Sequence, residues 1–332
     1  MPTLEVYLFG RFCVRRNGQV LEGVDARKVQ ELFCYLLLHR DVSLSRETLA
    51  SVLWPDTTTA QSKKYLRQTL WQLQSILGSQ TGPTHNRVFL VQPEQIQLNP
   101  EADLWFDVAV FEHAFALVQK LAGQELNVYQ METLQHAIEL YQKPLLESWY
   151  EDWCLRERER FQTMYLVMLD KLMDYSEAHH IYEMGLSYGM RVLYHERTRE
   201  STHRRLMRLH YLAGDRASAL RQYEHCAAIL DEDFGVKPSR QTTALYKDIF
   251  TDQLEEPRLR DKPGTVPDGT NLPLLEVFNS LTELLAFLID LQHQVQQNIQ
   301  QVEPLLREIQ KTPSSSNERR CERHPADAHR DR

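Results

Sequence analysis

The sequence predicts a mainly α chain: an α+β head of about 100 residues, an all-α body, and one long helix near the C-terminus. Two observations carry this class. Gly (12) and Pro (14) are scarce for 332 residues, as in helix-rich chains. Apolar residues alternate over the first twenty positions and take helical spacing thereafter. The length calls for more than one domain. We divide the chain into a head (1–100), a helical body (101–252), a Pro/Gly-rich linker (253–273), an amphipathic helix (274–310) and a disordered tail (311–332).

In the head, Leu4, Val6 and Leu8 share one strand face, and Phe12 and Val14 follow Gly10. Asn17-Gly18 is a two-residue hairpin turn. Strands are expected at roughly 4–9, 11–16 and 19–22. Asp25 is placed to cap a first helix, whose apolar stripe is Val29, Leu32, Phe33, Leu36 and Leu37. Ser45 caps a second, short helix that carries Glu47 in its first turn and buries Leu49, Val52 and Leu53. Pro55 stops that helix. A third helix lies within Asp56–Leu77, with Thr57 to Thr59 offering oxygens to its first amides. Leu66, Leu70, Leu73 and Leu77 line one side of it. Lys63, Lys64, Arg67, Gln68, Trp71, Gln72 and Gln74 occupy the other. Val88–Val91, Pro93–Gln95, then Ile96 and Leu98 make a strand, a tight turn and a second strand.

Sheet, three helices and hairpin, in that order, make a winged helix-turn-helix. Lys and Arg neutralise phosphates, and Arg and Gln pair with guanine and adenine edges. The candidate DNA-binding residues are therefore Arg67 and Gln68 for bases, and Lys63, Lys64, Arg46 and Arg27 for phosphates. Arg87, behind His85 and Asn86, is placed on the wing. The charge supports the division: residues 1–100 carry +3 and the remainder −11.

In the body, Gly185-Leu186 and Gly189 lie 34 residues before Ala219-Leu220 and Tyr223. That period, with Gly214 at a turn, is the spacing of tetratricopeptide-like helix pairs, which present concave surfaces to proteins. Trp149, Trp153 and Phe161 are expected in the core, and Arg156 to Arg160 on a solvated helix face. Beyond the linker, Leu274, Leu281, Leu288, Val295, Val302 and Ile309 keep a seven-residue step. This is either a coiled coil, and so a homo-oligomer contact, or a helix docked on the chain's own body.

Several classes are excluded. Five widely spaced cysteines without a CxxC pair suit reduced thiols rather than a disulfide or zinc framework. His179-His180, and His203 with His210, lack helical metal-ligand spacing, so no metal is expected. Phosphate-loop, dinucleotide, hydrolase-elbow and zincin motifs are missing, so neither an enzyme nor a cofactor is expected. No apolar run is long enough to cross a membrane, and Met1-Pro2 leads straight into a strand pattern. A cytoplasmic, nucleoid-associated protein is expected.

The residues also resemble a known family. Leu8-Phe9-Gly10, Arg27-Lys28, Leu53-Trp54-Pro55-Asp56 and Leu66 to Leu73 look like the winged helix of SARP-type bacterial transcription activators. Asp103 to Asp107, Phe111-Glu112, Glu200 to Leu209, Gly214 to Glu224 and Leu230 to Ser239 resemble the bacterial transcriptional activation domain that follows it. Together these cover about residues 3–252. The resemblance implies promoter DNA and RNA polymerase as partners. It also exposes a departure. The family usually carries arginines in the back half of the third helix; here Gln72, Gln74 and Ser75 stand, and Trp71 replaces a small residue. Fewer cations imply a shallower salt dependence, and one reading packs Trp71 on the sheet or the next domain. The leading expectation is a sequence-specific DNA-binding activator; the alternative is an interaction scaffold whose winged helix no longer binds DNA.

Overall fold

The structure, a computed structural model, describes residues 4–78 and 87–254. His85, Asn86, the helix expected at 274–310, the tail and all but the first two linker residues lie outside the described residues.

Strands β1 (Leu4–Tyr7), β2 (Cys13–Arg16) and β3 (Gln19–Val20) form a meander. Asn17 and Gly18, at φ 52° and 80°, make its second turn. Both residues are left-handed, as a primed hairpin turn requires. The α helices of the head are α1 (Arg27–Leu38), α2 (Arg46–Leu53) and α3 (Thr59–Ile76). Two short strands were not anticipated. β4 (Leu44–Ser45) joins β6 (Gln95–Leu98), which pairs with β5 (Phe89–Val91). β7 (Leu104–Phe106) pairs in parallel with β1 and completes a four-stranded sheet, β3-β2-β1-β7.

Two expected caps are corrected. Ala26, not Asp25, precedes α1, and no side chain caps that helix. Gln30 instead donates to the Val24 carbonyl at 2.7 Å. Thr58 precedes α3 but its hydroxyl bonds Gln61, and Thr57 bonds the Trp54 carbonyl, so neither reaches the first amides. Ser45 does cap α2, accepting from the Thr48 amide at 3.0 Å.

The body consists of α4 (Asp107–Val118), α5 (Val128–Leu140), α6 (Asp152–Ala178), α7 (Tyr182–His195), α8 (Glu200–Leu212), α9 (Arg216–Phe234) and α10 (Arg240–Phe250). The glycines picked out by the 34-residue period permit close helix approach. A Cβ on Gly189 would stand 2.5 Å from Leu206 and 2.8 Å from Met173. Ala219, one period after Gly185, is fully buried, and Gly214 (φ 80°) turns the chain between α8 and α9.

Head and body share one core. The Phe9 ring lies 5.0–5.5 Å from Phe111, Tyr141 and Phe161 of the body. Backbone bonds knit Leu8 and Gly10 to the 144–147 loop: Gly10 N–H to Pro144, Leu146 N–H to Leu8 and Glu147 N–H to Gly10. The centre of this junction is Asp107, 2 % exposed. Its carboxylate accepts the amides of Leu8 (2.8 Å), Phe9 (2.8 Å) and Val108 (2.8 Å). Burial pushes the Asp107 carboxyl up to about 6, while those amides draw it down.

Both ends of α1 are also fastened. Arg27 at its start bonds Glu31 and, through both oxygens at 2.9 Å, Glu151 of the body. Its guanidinium lies 3.7 Å from the Trp149 ring centre. Past its end, Arg40 bonds Glu112 (2.5 Å), which also takes Arg160 (2.6 Å). The expected solvated face at 156–160 is thus corrected in part. Arg160 holds α4, and Arg158 donates to the carbonyls of Leu145, Leu146 and Trp149. Local charge alternation hides such contacts, because their acceptors lie on other segments.

Removing the Asp107 acceptor strands buried amides, so Asp107→Ala is expected to lose about 2–4 kcal/mol in urea unfolding at neutral pH. The pH dependence has a definite sign. The folded pKa of about 6 exceeds the ordinary aspartate value of 3.8. The group's contribution is therefore full below the unfolded value and is lost as pH rises through the folded one. Relative to Asp107→Asn, the wild type should gain stability as pH falls across that window, by up to about 1.4 kcal/mol per unit. Arg27→Ala should lower stability by about 1–2 kcal/mol, with faster amide exchange in the first turn of α1 and at 149–151.

Candidate nucleic-acid interface

The buried side of α3 is formed by Leu66, Leu70, Leu73 and Leu77, each 5 % exposed or less, with Ser62 and Thr69 beside them. A helix seated by such a stripe must present its opposite side. That side carries Lys63, Lys64, Arg67, Gln68 and Trp71, all exposed. From Thr59 to Ile76 the helix has no carboxylate.

Lys63 reaches Glu47 at 3.3 Å, in the first turn of α2. Lys64, Arg67 and Gln68 make no hydrogen bond or ion pair among the described residues, so their donors are available. The wing stands alongside. Its turn closes where the Gln92 amide donates to the Gln95 carbonyl. Arg46 binds that turn to α2: its amide donates to the Glu94 carbonyl (2.9 Å) and its Nε to the Gln92 carbonyl (3.1 Å). The β4–β6 pairing fixes the same junction from below. Between α3, the start of α2 and the wing turn lies an open groove of about 460 Å³. Arg46, Lys63 and Arg67 line it together with Glu47 and Glu94.

Of the seven residues predicted to touch nucleic acid, the fold gathers Arg46, Lys63, Lys64, Arg67 and Gln68 around one helix and groove. Arg46 is half-buried and braces the wing. Arg87 is exposed two residues ahead of β5, where its carbonyl accepts from Asn99 at 2.8 Å. Arg27 lies elsewhere: its guanidinium is held by Glu31, Glu151 and Trp149, a junction contact rather than a free cation. Trp71 is corrected as well. It is 61 % exposed and belongs to no hydrophobic cluster among the described residues. The spacing had the signal for this, since Trp71 follows Arg67 by four and Lys64 by seven residues, on one stripe. The bracing role of Arg46 had no sequence signal, because its acceptors are backbone carbonyls.

Among the described residues no group of three or more His, Cys, Asp or Glu side chains is placed to hold a metal. No described helix is long and apolar enough to cross a membrane. In the body, His203 is fully buried between the Arg197 carbonyl (2.8 Å) and Gln222 (2.7 Å). Burial holds its pKa below the ordinary histidine value, so it packs as a neutral core residue.

Comparison with known proteins bears on both halves. Residues 106–250 match the family model of the bacterial transcriptional activator domain. A comparison with curated proteins gives no match. Among solved structures the chain is similar to Mycobacterium tuberculosis EmbR, solved in complex with a low-affinity phosphopeptide, at a TM-score of 0.57 and 18 % identity. The likeness covers 76 % of this chain and 66 % of that one, so this chain spans just under two thirds of EmbR, and the similarity is one of fold. Residues 106–250 thus carry a match to the bacterial transcriptional activator domain, and a winged helix precedes that match in the chain.

Proposed function

We propose that the chain is a sequence-specific transcription activator whose head binds promoter DNA and whose body engages RNA polymerase or a neighbouring protomer. The observation that carries this reading is the exposed side of α3, where Lys64, Arg67 and Gln68 stand exposed, without protein partners among the described residues and without a carboxylate on the helix. Such a side suits a major groove: cations meet phosphates, and Arg and Gln pair bidentately with base edges. Arg67 and Gln68 are assigned to bases, Lys63 and Lys64 to phosphates, and Arg87 to the flanking backbone beside the wing. Arg46 contributes by holding the wing turn against α2. The helical pairs of the body supply a protein-binding surface, and the seven-residue apolar repeat at 274–310 supplies self-association.

A second reading, a scaffold whose winged helix docks protein, draws on the exposed Trp71 and on the small number of cations. Salt dependence separates the two. A DNA binder loses affinity steeply as salt rises, whereas a scaffold produces no DNA shift.

With duplexes selected by the full chain from a random library, Lys64→Ala plus Arg67→Ala is expected to weaken binding by about 2–5 kcal/mol. The slope of log affinity against log salt should become shallower by about one, from the phosphate contact of Lys64. Unchanged affinity of the double variant in a gel-shift titration would remove α3 from the interface.

A further inference from the structure

We infer that Trp71 is the specificity-determining apolar contact of α3, and that it reads the 5-methyl group of a thymine in the major groove. The inference rests on the DNA-reading role proposed above and deepens it. Of the five tryptophans, Trp71 is the one exposed; Trp54 and Trp105 are half-buried, and Trp149 and Trp153 are buried. Leaving an indole in water is costly unless a partner covers it.

The surroundings name the partner. Along one stripe of α3, Lys64 lies seven residues before Trp71, Arg67 four and Gln68 three, and none has a protein partner among the described residues. A protein covering this indole would have to answer two free cations with carboxylates. A duplex answers them with phosphates and base edges and offers the indole a specific apolar feature. In the major groove that feature is the thymine methyl.

The helix under the indole is regular. Ser75 donates to the Trp71 carbonyl at 2.9 Å, and the side chain has two torsions to fix, so ordering it costs little. Four residues of helix advance about 6 Å, against a rise of about 3.4 Å per base pair. The thymine should therefore lie within about two base pairs of the base that Arg67 reads.

The test uses the full-length chain and a duplex that it selects from a random library. Each thymine of the selected site is replaced in turn by deoxyuridine, which lacks only the methyl group. Affinities are measured for the wild type, Trp71→Ala and Trp71→Phe, with melting temperatures to show that the variants fold. The expected result is one thymine, within about two base pairs of the position where Arg67→Ala relaxes preference, whose replacement weakens the wild type roughly three- to fivefold. At that thymine Trp71→Ala should bind the two duplexes equally, and Trp71→Phe should retain part of the difference. Indifference of the wild type to uracil at every position overturns the inference, as does an equal loss in Trp71→Ala. So does undiminished DNA affinity of Trp71→Ala with lost activation of purified RNA polymerase, because the indole then faces protein. A flat uracil scan on a duplex that still needs Lys64 and Arg67 removes this inference alone. Failure to select any duplex removes the DNA-reading role with it.

Discussion

The carboxylate of Asp107 governs how the two halves meet. It is the first residue of α4, yet it accepts the amides of Leu8 and Phe9, 99 and 98 residues earlier. Those two amides follow the last residue of β1, and β7, just ahead of Asp107, is itself paired to β1. A single buried acceptor therefore sets both the exit of β1 and the start of the body. Phe9 is then directed into the aromatic core between α4 and α6. An uncompensated buried carboxylate is costly; here the compensation is supplied by backbone, which cannot be moved without moving the strand. The head is accordingly not a bead on a linker.

That constraint acts on function through α1. Arg27 and Arg40, at its two ends, are tied to Glu151 and Glu112, and α1 packs directly on α3 through the shared core. The exposed side of α3 is thus oriented by the body and not merely attached to it. In a flexible tether, ordering the two halves would cost free energy on every simultaneous contact with DNA and protein. In this arrangement the cost is met on folding, and on the proposed DNA-binding reading the register of α3 on a duplex would dictate where the helical pairs of the body stand beside it.

Much of this was legible from local spacing. The leucine stripe of α3, the Asn17-Gly18 turn, the order of the head and the 34-residue period are patterns that the backbone itself imposes, with periods of two and 3.6 residues or one helix pair. What was missed has no local period. β4 is two residues long and β7 three; each is a strand only because a partner arrives from about 50 or 100 residues away. Arg27, Arg158 and Arg160 carry the same charge as any solvated arginine. Only the folded chain distinguishes them, by bringing Glu151, three carbonyls of the 145–149 segment, or Glu112 within reach. Among the candidate interface residues, Arg27 is a junction clamp and Arg46 braces the wing turn, and neither contact has a local signal in the sequence.

The sparse charge of α3 then takes on a different meaning. Three cations on one helix provide little phosphate neutralisation, and affinity from that source fades at physiological salt. An interface so built must draw on contacts that salt does not screen. In the proposed complex, base-edge hydrogen bonds from Arg67 and Gln68 would be one such source, and the exposed indole on the same stripe another. Apolar burial is insensitive to counterions, and an oriented body adds affinity through protein contacts without adding charge to the head. On that reading, Gln72, Gln74 and Ser75 in place of arginine need not mark a lost activity. On the proposed DNA-binding reading, their presence would shift the weight of recognition from the phosphate backbone to the groove floor and to neighbouring protein, and so favour selectivity for the same helix length.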